Sequence, residues 1–178
     1  MKNIIISCLC LCLLASCKKD TEELPPATET GANTFGARVN GDLWVPEGLG
    51  SIPANNILES QLFPNGDLRI RARNFASSPN ETEFDFFITG ITAPGTYLLN
   101  KNVTYPGLSA SFGYYVKRKL TPVDEWITSP TISGSVTITK VDAVNRIVSG
   151  TFQFNAASIY TPSQVLSVTD GRFDLKVQ

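Results

Sequence analysis

"ILESQLFPNGDLRIRARN", Ile57–Asn74, decides the fold. Asn65-Gly66 sits between two runs that alternate apolar and polar residues, which is the short-range signature of a β-hairpin. If Leu62 faces Leu68, the register also sets Gln61 against Arg69 and Glu59 against Arg71. Apolar then meets apolar and acid meets base, as cross-strand pairing favours. Arg69, Arg71 and Arg73 fall on one face at intervals of about 6.6 Å, and Leu68, Ile70 and Ala72 fall on the other. A hairpin with one charged and one apolar face belongs to an antiparallel sheet covered on one side.

The same alternation continues in both directions. "TFGARVNGDLWVP" places Asn40-Gly41 between Phe35–Val39 and Leu43–Val45, a second hairpin. Further strands are expected at Glu83–Ile91, Thr96–Leu99, Leu108–Lys117, Ser135–Val141, Ile147–Asn155, Val165–Thr169 and Arg172–Val177. Phe84, Phe86 and Ile88 form one inward set, and Val148, Phe152 and Phe154 another. In the last strand Phe173, Leu175 and Val177 point inward, leaving Arg172, Asp174 and Lys176 on a wet face. Ser78-Pro79, Thr121-Pro122 and Thr161-Pro162 each resemble a helix start, but strand-like sequence or another Pro follows, so single turns are expected. The fold class is all-β: one antiparallel β-sandwich or barrel-like domain of about 8–10 short strands.

With 178 residues and 42% hydrophobic content, one domain with a sizeable core is expected and two are not. A net charge of −1 argues against nucleic acid as a partner, because phosphate neutralisation needs a clustered excess of Lys and Arg. The absence of His removes the usual general base near neutral pH and the commonest zinc ligand.

All four cysteines lie in the first seventeen residues. Lys2 and the apolar run Ile4–Leu14 have the form of a signal-peptide core, too short to span a bilayer as a helix. Cys8, Cys10 and Cys12 sit inside that run, and no Cys or His follows Cys17 to complete a metal site or a disulfide framework. Leu14-Ala15-Ser16-Cys17 resembles the lipobox of bacterial lipoproteins, cut before a Cys that is then acylated. The expected organisation is a signal peptide at 1–16, an acylated Cys17 with a disordered polar tether to residue 33, and a β domain at 34–178. The membrane is then a partner through the N-terminal lipid.

Several residue sets could carry chemistry. Arg71, between Arg69 and Arg73, could hold an anion, since guanidinium groups pair carboxylates bidentately, though a neutralised sheet face explains the row equally. Glu83 and Asp85 stand about 7 Å apart on one strand face, near the spacing of inverting glycosidase carboxylates. Such pairs are also common on wet strand faces. Among the aromatics, Trp44, Trp126, Tyr114, Tyr115 and Tyr160 could stack a sugar or an apolar ligand. Tyr115 shares a face with Lys117 and Lys119 and is the one expected to be exposed. Tyr115, Trp126 and Arg71 are therefore the candidate ligand contacts. Asn80-Glu81-Thr82 and Asn102-Val103-Thr104 fit turn chemistry, and neither "PNGD" nor "DAVN" has the run of acids a calcium loop needs. No cofactor is implied.

"LPPATETGANTFGARVNGDLWVP" (Leu24–Pro46), "NRIVSGTFQF" and "VTDGRFDLK" resemble a family of short Bacteroidota lipoproteins classed as domains of unknown function. The resemblance implies an acylated, exported β domain of the cell envelope, at the outer membrane, with no established activity and no catalytic residues to carry over. The expected function is a non-enzymatic binding or structural role, the partner being a glycan, envelope protein or small ligand. The alternatives are a calycin-like carrier with a large apolar cavity and a glycoside hydrolase with two carboxylates in an enclosed cleft.

Overall fold

The computed structural model describes residues 23–48 and 56–178, so the expected signal peptide and Cys17 lie outside the described residues. Eleven strands form one antiparallel sheet: β1 (Thr34–Val39), β2 (Asp42–Trp44), β3 (Leu58–Leu62), β4 (Leu68–Asn74), β5 (Glu81–Ile88), β6 (Gly95–Leu98), β7 (Phe112–Arg118), β8 (Pro122–Ile127), β9 (Gly134–Asp142), β10 (Ile147–Ser158) and β11 (Val165–Lys176). The order is β2-β1-β11-β10-β8-β7-β5-β4-β3, with β9 and β6 branching from β10. β10 pairs with β9 through its first eight residues and with β8 at Ala157 and Ser158. The sheet can therefore fold over on itself there, and it does so without closing into a barrel.

Both Asn-Gly signals make the hairpins the sequence calls for. Asn40 and Gly41 have φ of 51° and 93°, the double left-handed turn that joins β1 to β2. Between β3 and β4, Phe63 and Asp67 bracket a three-residue loop in which Gly66 has φ 86°. The register that follows pairs Glu59 with Arg71, Gln61 with Arg69 and Leu62 with Leu68, as the side-chain matching requires.

The interior is phenylalanine. Phe84 and Phe86 of β5 meet Phe152 and Phe154 of β10 at ring-centroid distances of 4.8–6.2 Å, and Phe35 of β1 and Trp44 of β2 close over them. All six are buried. Each such side chain contributes about 1.5–3 kcal/mol relative to exposure, which makes this layer the main source of stability.

Four expectations are corrected. Among the described residues there are eleven strands against the expected range of about 8–10, and Pro122 opens β8 where a single helical turn is expected. Val165–Thr169 and Arg172–Val177 are one strand, since Asp170, at φ 54°, and Gly171 form a bulge rather than a turn. Glycine is needed there: a Cβ on Gly171 would stand 2.4 Å from the Phe152 ring. Tyr115 is 3% exposed, inside the core against Phe84 and Trp126, because its strand face is the inner one. Finally, the face opposite the core is not uniformly wet. Asp85 and Asp174 lie on it and are 0% and 1% exposed.

Candidate functional site

Two segments cover that outer face. The first runs between β6 and β7 and lays Val103 and Tyr105 over Phe87, Phe112, Tyr114 and Val116, forming a second apolar cluster. Tyr105 stacks on Tyr114 with centroids 3.8 Å apart and ring planes within 5°. Beside this cluster lie the arginine row and the two acids of β5.

These charges are matched one against another. Arg69 donates from Nε and Nη2 to the two oxygens of Asp85 at 3.1 and 2.6 Å, and the Tyr105 hydroxyl donates to the same carboxylate at 3.2 Å. Arg73 reaches Glu59 at 3.0 Å and Glu83 at 3.4 Å, while Arg118 reaches Glu83 at 3.2 Å. The Tyr114 hydroxyl donates to Glu125, and Tyr160 donates to its other oxygen at 2.5 Å. Hydrogen bonding to Asp85 raises the already high pKa of Arg69 in spite of its burial. Burial and the nearby charges of Asp85 and Glu83 push Tyr105 up to about 12. Glu83 and Asp85 thus do lie together, but each is paired with a cation instead of facing a cleft. Among the described residues no three His, Cys, Asp or Glu side chains group to hold a metal ion.

Arg71 is the least engaged of the row. It stands 3.7 Å from both Glu59 and Asp85. Together with Ser60, Gln61 and Arg69 it lines an open recess of about 220 Å³. Of the aromatic candidates, Trp126 is 7% exposed with the Lys117 ammonium 5.5 Å from its ring, so it packs at the rim of the core. Tyr115 reaches the surface only as part of a second recess, of about 440 Å³, shared with Trp44 and Val123. Arg71 and the Tyr115–Trp126 pair therefore do not converge on one site: the first is on the outer face and the others belong to the core side.

The second covering segment is the one expected to be tether. Thr28 Oγ1, Thr30 N and Oγ1, Gly31 N and Ala32 N all donate to Asp174 at 2.6–3.2 Å, and Ser149 Oγ donates from below at 2.8 Å. Asn33 accepts from Lys176 N at 2.9 Å. Residues 28–33 are thus docked on β10 and β11. Their polar composition does not leave them free, because a buried carboxylate collects their donors. Burial pushes Asp174 up, but these hydrogen bonds outweigh it and hold its carboxyl well below the usual range. Sequence reasoning placed Asp174 on a wet face, and nothing in the residue pattern marked it as a hub.

A family model for a domain of unknown function, DUF6252, matches residues 59–175. The chain belongs to this family. The DUF6252 match runs from β3 to the end of β11, and so contains the arginine row, both acids of β5, Glu125 and Asp174. No curated protein and no solved structure shows significant similarity to the chain.

Proposed function

We propose that this DUF6252 protein is a lipid-anchored β domain of the bacterial cell envelope, held through Cys17 at the outer membrane, with a non-enzymatic binding role. The observation that carries the non-enzymatic part is the pairing on the outer face. A carboxylate that works as general acid or base needs a protonation state poised near the working pH and access to substrate. Glu83 is held by Arg73 and Arg118, and Asp85 by Arg69 and Tyr105, with the latter fully buried. The same arrangement weighs against the glycoside hydrolase reading. The anchoring part rests on Leu14-Ala15-Ser16-Cys17 after an apolar run, and on a chain that is polar from Lys18 to Glu23 before it reaches the domain. Two or three acyl chains at Cys17 would hold the protein persistently, where one would not.

Fractionation of cells carrying the wild-type chain and Cys17→Ala tests the anchor. The wild type is expected in the membrane fraction and the variant in soluble or uncut form. Maturation and membrane sedimentation of Cys17→Ala would overturn it. Affinity enrichment from intact cells, combined with protease shaving, tests the binding role: a specific envelope glycan, protein or small ligand is expected, and turnover of a glycoside by the purified protein would contradict it.

A further inference from the structure

The recess beside Tyr115 differs in character from the one beside Arg71. Its floor is set by Trp44 and Tyr115, 7% and 3% exposed, beside the polar side chains of Asn74, Ser77, Asn80 and Thr82, and the polar end of Trp44 is already satisfied, Nε1 donating to Thr82 Oγ1 at 2.8 Å. One wall is Val123, which is 58% exposed although apolar. The rim carries Lys117, Arg118 and Lys119 against a single acid, Glu81. Among the described residues neither lysine has a carboxylate within 4.0 Å. Arg118 spends Nη2 on Glu83, and its Nε is buried without a partner. In the β4 row Arg69, Arg71 and Arg73 are each offset by an acid, whereas here cations exceed acids in a molecule whose net charge is −1.

An aromatic floor, an apolar wall and an unbalanced cationic rim are complementary to one ligand chemistry. We infer that this recess binds a small organic anion with an aromatic or short acyl body, the body lying on Trp44 and Tyr115 and the charge directed to Lys117 and Lys119. The volume of about 440 Å³ is in the range of small-molecule sites. It admits one aryl group or short chain and not the paired chains of a bilayer lipid. This names a ligand class for the binding role proposed above, but it does not depend on the anchor, since the recess is built wholly from the β domain.

The acylated chain in phosphatidylcholine nanodiscs keeps its N-terminal segment in a constant setting. Titration with 4-(trifluoromethyl)phenylacetate, followed by ¹⁹F NMR, is expected to show saturable binding. Lys117→Glu/Lys119→Glu alters two exposed side chains and should weaken binding at least tenfold, as should Val123→Asp, with the unfolding midpoint unchanged in Val123→Asp and lowered in the double variant only by loss of the Lys117–Trp126 contact. The cation 4-(trifluoromethyl)benzylamine, with a similar body and the opposite charge, should not bind. The inference is overturned if the anion fails to saturate, if the amine binds equally well, if the charge-reversed variant keeps its affinity, or if phosphatidylglycerol in the disc displaces the anion. Failure here with correct Cys17-dependent sorting would remove the ligand class and leave the anchor standing; the converse result would do the opposite.

Discussion

Asp85 and Asp174 are both buried on the outer face of the same sheet, and they are stabilised in different ways. Asp85 is held by side chains, through a bidentate Arg69, a Tyr105 hydroxyl and a more distant Arg71. Asp174 has no cation within ion-pair reach among the described residues and is held by three backbone N–H groups and three hydroxyls. The contrast separates two tasks. The first carboxylate neutralises charges that the strand pattern has already placed together. The second recruits a polar segment that would otherwise stay in solvent and makes it part of the domain.

The largest expected effect comes from breaking the first arrangement on one side. Asp85→Asn removes the buried half of the pair and leaves Arg69, 19% exposed, without its counter-charge, a change that costs about 3 kcal/mol, the low end for such a pair because Arg69 can still reach water. Urea unfolding measures it, and a loss below about 1 kcal/mol would mean that Arg69 is solvated. Asp174→Ala should cost less, about 2–3 kcal/mol, although it removes more hydrogen bonds. The donors of Thr30, Gly31 and Ala32 can recover water if the segment peels away, so local opening sets a ceiling on the loss. Amide exchange should then become fast at residues 30–32 while β4 and β5 keep their protection.

The two regions also separate by pH. The Asp174 carboxyl is held low, so its contribution is fully present above the unfolded value of about 3.9 and is lost only as pH falls through the lower folded value. Docking of residues 28–32, followed by exchange or proteolysis, should therefore survive at pH 4. Tyr105 behaves in the opposite sense. Its pKa is raised to about 12, so its contribution is complete below the unfolded value of about 10 and declines as pH rises through about 12. Tyr105→Phe keeps the stack on Tyr114, loses one hydrogen bond worth about 1 kcal/mol, and should flatten the alkaline decline. The smallest effect belongs to Arg71→Gln. That side chain makes only two ion contacts at 3.7 Å, and less than about 1 kcal/mol should be lost.

The inner face was legible in the residues except on β7, where Tyr115 and not Tyr114 faces the main core, and the outer face was not, for a physical reason. Period-2 alternation identifies the set that faces the larger core, so Phe84, Phe86, Phe152, Phe154 and the β3–β4 register follow from it directly. It cannot say whether the other set meets water or a loop folded back from elsewhere. The available hint was Phe87 directly after Phe86, together with Phe112, Tyr114 and Val116 opposite Tyr115: strands apolar on both faces are covered on both. Asp174 had no such hint, since every partner but Ser149 lies more than 140 positions away and half of the six donors are backbone groups, which carry no residue signature. β8 was hidden by Pro122, whose place at the first position of a strand is one that proline tolerates.

If the charged face serves the fold and the ligand binds at the Trp44–Tyr115 recess, then replacing the ion pair with apolar residues should separate the two. Arg69→Met/Asp85→Leu puts uncharged side chains beside the Phe87–Tyr114 cluster, and removing a buried pair whole is far less costly than breaking it. The measurement is the urea-unfolding stability of this double variant alongside its affinity for 4-(trifluoromethyl)phenylacetate. The expected result is recovery of at least half the stability lost in Asp85→Asn with affinity unchanged. A variant that folds as stably as the wild type but no longer binds the anion would contradict the account, because the charged face would then be the binding site.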